Sequence, residues 1–187
     1  MSLRVRILKA LSVRKRKRDL PVLRDLVGPG PEVRVLDIGG GAGAATARYG
    51  HGAKEIVIVE PDARKIAFGR RRFPGITFHE AKAERLPFPD GSFERVVAVV
   101  SFHHVEDPDL ALREVRRVLV PEGLFVMHEM YPGDHPGVLA HVLGRRMHGT
   151  DPHFYEPEDL ARLVGSHGFL DPVLRDGARG YFIVARK

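Results

Sequence analysis

The chain contains no cysteine, tryptophan, asparagine or glutamine. Without cysteine there can be no disulfide, thiolate metal ligand or cysteine nucleophile. No run approaches the roughly 18 apolar residues of a membrane span. The basic N-terminus lacks the apolar core and small-residue cleavage site of an export signal, so a cytoplasmic location is expected. No H-E-x-x-H or comparable spacing organises the histidines, and no metal site is expected. The missing heat-labile amides, with 23 arginines against 7 lysines, suit a thermophilic source.

What is present is ordinary for one soluble domain: 187 residues, 43% hydrophobic and 29% charged. The charge is uneven. Residues 1–24 carry nine basic residues and only Asp19 as an acid, while the remaining 163 residues sum to −2. The run RKRKR at 14–18 follows an amphipathic stretch at 3–11, and a short helix is expected near 21–27. GPGP at 28–31 is a breaker cluster, so residues 1–29 are expected to form a basic helical arm and 30–187 the body. The arm reads as a solvated helix face, an anionic membrane contact or an RNA contact. No DNA partner is expected.

In the body, apolar runs at 33–38, 55–60, 76–80, 95–101 and 124–129 read as strands. Helical patterns at 43–50, 62–72, 109–119 and 157–167 alternate with them, and 171–175 with 181–186 read as a closing hairpin. This alternation predicts an α/β fold around a doubly wound, mostly parallel sheet with an antiparallel edge.

VLDIGGGAG at 35–43 carries the most information. A buried strand enters three consecutive glycines and a helix follows, the arrangement that brings backbone N–H groups close to a ligand. Glu60, at the end of the next strand, can accept hydrogen bonds from both hydroxyls of a ribose. Gly39, Gly41 and Ala44 also satisfy the dinucleotide pattern G-x-G-x-x-A. Asp37 separates the two readings: a buried carboxylate opposes a pyrophosphate but favours an ammonium. S-adenosylmethionine (SAM) has that ammonium and a cationic sulfur.

The sequence resembles the class I SAM-dependent methyltransferases, in the branch of ubiquinone/menaquinone-type and other small-molecule enzymes. The resemblance covers residues 30–187 and rests on VLDIGGGAG (35–43), IVIVEPD (56–62), AERLPFPDGSFERVVAVVSFHHVEDP (83–108) and LREVRRVLVPEGLFVM (112–127). It implies a Rossmann-like, seven-stranded sheet whose last strand is antiparallel. It also implies that Asp37, Gly39, Gly41 and Gly43 hold the methionine end of SAM, and that Glu60 binds the ribose. Pro61 would pack by the adenine, Ala83 and Glu84 would face its edge, and Ser101 would lie near the methionine. Two positions depart from the family. Lys82 stands where an adenine-binding Asp is common, so adenine recognition is expected to rest on backbone groups. Glu122 stands in PEG where PGG is usual, and is read as tolerated variation.

The acceptor side is expected after the fourth and fifth strands: Phe102, His104, Glu129, Tyr131 and His135, with His128 and Asp134 nearby. His103 is a candidate base, and the His103–His104 pair also reads as loop support. Residues 131–154 are expected to form a substrate lid. The absence of cysteine disfavours thiol-dependent chemistry such as arsenic methylation. The expected function is methyl transfer from SAM to a small molecule by in-line displacement. An RNA or protein methyltransferase, or a non-catalytic SAM-fold subunit, is the alternative.

Overall fold

The computed structural model describes residues 19–132 and 153–187. The basic run 14–18, most of the expected lid, Asp134 and His135 lie outside the described residues. Residues 19–27 form helix α1. Then come β1 (Arg34–Ile38), α2 (Thr46–Tyr49), β2 (Glu55–Val59), α3 (Ala63–Arg72), β3 (Thr77–His79) and β4 (Phe93–Val99). A tight 3-10 turn at Phe102–His104 leads to α4 (Pro108–Val118), β5 (Leu119–Glu129), α5 (Pro157–Ser166), β6 (Leu170–Gly177) and β7 (Gly180–Arg186).

The seven strands form one sheet in the order β3-β2-β1-β4-β5-β7-β6. Pairing is parallel from β3 through β5, and β7 runs antiparallel to both β5 and β6. The strands read as continuous apolar runs because both faces are covered. Leu36 and Ile38 face one layer with α4 and α5, through Leu112, Val115, Leu160 and Val164. Val35, Val97 and Val126 face the other, against Leu23 and Val27 of α1 and Tyr49 of α2. Helices α3 and α4 start at Asp62 and Asp107, whose side chains accept Arg64 N–H and Leu110 N–H.

Three expectations are corrected. The GPGP cluster does not separate an arm from a body across 19–27. Leu23 and Val27 are fully buried, Asp19 Oδ1 accepts Ala178 N–H from the β6–β7 turn at 2.6 Å, and Arg95 donates to the Val27 carbonyl at 2.8 Å. The helix expected from residue 43 starts at Thr46 instead, because Gly43 has φ +84°. β5 starts five residues earlier than expected, at Leu119, and a bulge takes up the extra length opposite Phe93 and Arg95. Within it Glu122 sits at φ +62°, the conformation that a glycine of the usual PGG would take without strain.

Candidate functional site

In the order β2-β1-β4, the chain leaves β1 toward one edge of the sheet and returns to its other side. Such a switch point opens a crevice at the carboxyl ends of the strands. A cleft of about 570 Å³ lies there, of ligand-pocket size, lined among others by Gly39, Glu60, Pro61, Ala83, Ser101 and His104.

The β1 side is built on backbone close approach. A Cβ on Gly39 would lie 2.6 Å from Ser101 Cβ, and one on Gly40 would lie 2.5 Å from Asp37 Oδ2. Gly41 differs: its φ is +60°, and a Cβ there would meet nothing within 4 Å. Gly43 packs toward Phe78 and Ile58, 3.1 and 3.2 Å from its missing Cβ, and so serves the core rather than the cleft.

Asp37 is not on the cleft wall. Period-two alternation turns it to the face covered by α2, where Oδ2 accepts the Thr46 hydroxyl at 2.5 Å. It is 1% exposed and Oδ1 has no hydrogen-bond partner. Burial pushes its pKa up to about 6. Glu60, at the end of β2, is on the wall although only 3% exposed. Its carboxylate accepts Gly41 N–H at 3.0 Å, Asp62 N–H at 3.1 Å and Lys65 Nζ at 3.1 Å.

The β4 side is held from β5. Val100 has φ +52°, a strained conformation for a β-branched residue. The kink turns two successive N–H groups, of Ser101 and Phe102, onto Glu129 Oε1 at 3.0 and 2.8 Å. Glu129 Oε2 lies 2.7 Å from His103 Nδ1. Ser101 Oγ donates to the Ile38 carbonyl at 2.7 Å, joining the turn to β1. The expectation that Glu129 touches the acceptor is therefore corrected: it is 2% exposed, absent from the cleft wall, and occupied by three groups of its own chain.

His103 and Phe102 are withdrawn as well. His103 is 4% exposed, with its ring stacked on Phe154 at 5.0 Å, and Phe102 belongs to the core. Of the histidine pair, His104 reaches the wall. Tyr131 packs beside Tyr181 and donates its hydroxyl to Asp176. His128 stacks on Phe182 on the α1 side, with Nε2 3.7 Å from Asp19 Oδ2.

At the remaining end, Ala83 and Glu84 line the cleft. Glu84 Oε1 accepts Glu106 N–H at 2.8 Å, and Lys82 also lies on the wall. Sequence reasoning missed Lys65, Val100, Glu106 and Thr46. Lys65 was within reach of a spacing argument, since the first turn of a helix after Glu-Pro-Asp folds back over Glu60. The others are brought in by tertiary contacts.

These residues fit SAM. Glu60 offers a wall carboxylate to hydroxyls, Asp37 holds an unmatched buried acceptor beneath the loop, and Gly41 leaves open space beside both. No group of three or more possible metal ligands occurs among the described residues.

Residues 36–127 match the methyltransferase domain family. The chain is 34% identical over 119 residues to a demethylmenaquinone methyltransferase of Renibacterium salmoninarum, covering 64% of this chain and 50% of that one. It is 32% identical over 120 residues to a ubiquinone/menaquinone biosynthesis C-methyltransferase of a Shewanella species, covering 59% and 48%. The chain thus spans about half the length of the curated relatives it matches. A solved SAM-dependent methyltransferase of Thermotoga maritima shares the fold, with a TM-score of 0.74 at 21% identity, over 97% of this chain and 95% of that one. Motif order, strand order and these matches agree, and residues 36–127 carry a methyltransferase domain of the class I SAM-dependent type.

Proposed function

We propose that this chain binds SAM in the cleft and transfers its methyl group to a small-molecule acceptor, of the apolar quinone class for which the curated relatives are named. Glu60 carries the reading: a buried carboxylate on the wall, one strand over from the glycine loop and bonded to Gly41 N–H. That placement suits a ligand offering vicinal hydroxyls beside a cationic amino-acid tail. When bound, SAM supplies an electrophilic methyl on sulfur.

The chain's own residues bind and align. Glu60 accepts the ribose hydroxyls, and Lys65 yields its place on the carboxylate as they arrive. The backbone of Gly39 and Gly41 admits the methionine end, whose ammonium is favoured by the negative charge of Asp37. Pro61 and Ala83 pack against the adenine. Ser101 stands near the methionine, and His104 faces the acceptor. In-line displacement is sensitive to small misalignment, so Glu129 contributes by fixing the turn that presents Ser101 and His104. The basic run 14–18 supports delivery of an apolar acceptor from an anionic membrane surface.

The test uses SAM tritiated on the methyl group, with a demethylated menaquinone analogue in anionic vesicles and with RNA and protein extracts as rival acceptors. Label in the quinone is expected. Label in RNA or protein overturns the acceptor class, and calorimetric heat with NAD but none with S-adenosylhomocysteine overturns the cofactor.

A further inference from the structure

Two loops of the cleft wall are clasped by an ion pair. Lys82 Nζ, on the β3–β4 connection, lies 2.8 and 2.9 Å from the two carboxylate oxygens of Glu106, just past the His104 turn. Both residues line the cleft and both are about half exposed, at 57% and 52%. The same loops are joined again where Glu84 Oε1 accepts the N–H groups of Glu106 and Asp107 at 2.8 and 3.3 Å. Glu84 Oε1 is therefore occupied by its own chain, whereas each Glu106 oxygen carries one ammonium contact and keeps a free lone pair. The wall residues flanking this clasp in sequence, Ala81, Ala83 and Val105, are apolar and uncharged. An apolar wall ending in an oriented acceptor suits a flat heteroaromatic ring with an exocyclic amino group. The ammonium of Lys82 cannot accept such a bond, but it holds Glu106 in place and offsets its charge.

Resting on the reading of the cleft as a SAM site, we propose that Glu106 accepts the hydrogen bond of the adenine amino group. Lys82 acts as its positioning residue, and the pair sets the preference of the cleft for adenosyl over deaminated ligands. A ring with a carbonyl oxygen in place of the amino group would present a lone pair to the Glu106 carboxylate and be repelled.

The experiment is calorimetry on the full chain at fixed salt with S-adenosylhomocysteine and with S-inosylhomocysteine. The wild type is expected to prefer the adenosyl ligand by roughly tenfold or more. Glu106→Ala loses the preference from both sides, weakening the adenosyl ligand and relieving the repulsion of the inosyl one. Glu106→Gln, which retains a carbonyl acceptor, and Lys82→Ala, which frees the carboxylate to swing, each keep part of it. A Glu106→Ala variant with undiminished preference overturns the proposal and leaves Glu84 or backbone groups reading the base. Equal binding of both ligands by the wild type overturns it too. Binding of neither ligand by the wild type overturns the cofactor reading itself.

Discussion

The two sides of the cleft solve the same geometric problem with different chemistry. Each needs left-handed backbone where a strand ends and the chain must turn. On the β1 side that conformation falls on Gly39, Gly41 and Gly43, at φ +70°, +60° and +84°. On the β4 side it falls on Val100 at φ +52°. A valine there costs on the order of 1–2 kcal/mol, so something must hold it, and Glu129 does so by collecting two N–H groups and His103. The carboxylates divide along the same line. Glu60 and Glu129 end their strands nearly fully buried, and each gathers three donors; Glu60 faces the cleft and Glu129 faces the protein. Asp37, equally buried, accepts the Thr46 hydroxyl beside Tyr49, keeps Oδ1 unmatched and has an elevated pKa. What the two satisfied carboxylates face, cleft or protein, is what separates them, whereas Asp37 is buried off the wall with one oxygen unmatched.

Removing the brace has the largest expected effect. Glu129→Ala strands two buried N–H groups and a histidine, and should cost about 3 kcal/mol or more in urea unfolding. Glu129→Gln, which keeps an acceptor toward Ser101 and Phe102, should cost much less. Equal losses for Ala and Gln would mean that charge rather than bond count matters, and the contrast with Glu60 would need redrawing.

Asp37 should behave in the opposite sense. With its folded pKa raised to about 6 from 3.8, its ionised form is disfavoured in the fold. Relative stability is thus fully present below pH 3.8 and lost as pH rises through 6. At pH 8, without ligand, Asp37→Asn should be more stable than wild type by up to about 3 kcal/mol. The gap should close by pH 4, and the variant should bind S-adenosylhomocysteine more weakly. Destabilisation at pH 8 would place Asp37 with the satisfied carboxylates.

Glu60→Ala should weaken S-adenosylhomocysteine by roughly 1–3 kcal/mol, because one charged acceptor of two hydroxyls is lost. Unchanged calorimetric affinity would remove Glu60 from the ribose. The smallest effect is a coupling. In a Val100→Gly background, Glu129→Ala should cost about 1 kcal/mol less than in wild type, since a relaxed turn needs less holding. Strict additivity would break the link drawn between the strain and the brace.

Among the described residues, the sequence by itself determined the sheet class, the seven strands and the helices α1 to α5, though not where α2 and β5 start, and it marked Glu60 by its place after a strand; Pro61 and Ala83 came from the family resemblance. The elements depend on period, on turn residues and on neighbours within a few positions, which a linear chain displays directly. Only the tertiary structure decided which carboxylate faces the cleft and which braces it. Glu129 meets Ser101 across 28 positions, Lys82 meets Glu106 across 24, and Asp19 meets Ala178 across 159. Nothing local in the sequence encodes those distances, because strand order, not chain order, sets them. For the same reason the orientation of Asp37 followed from which face of β1 is covered by α2. The left-handed Val100 stayed invisible because no residue-type signal marks a valine that the surrounding fold forces into a glycine's conformation.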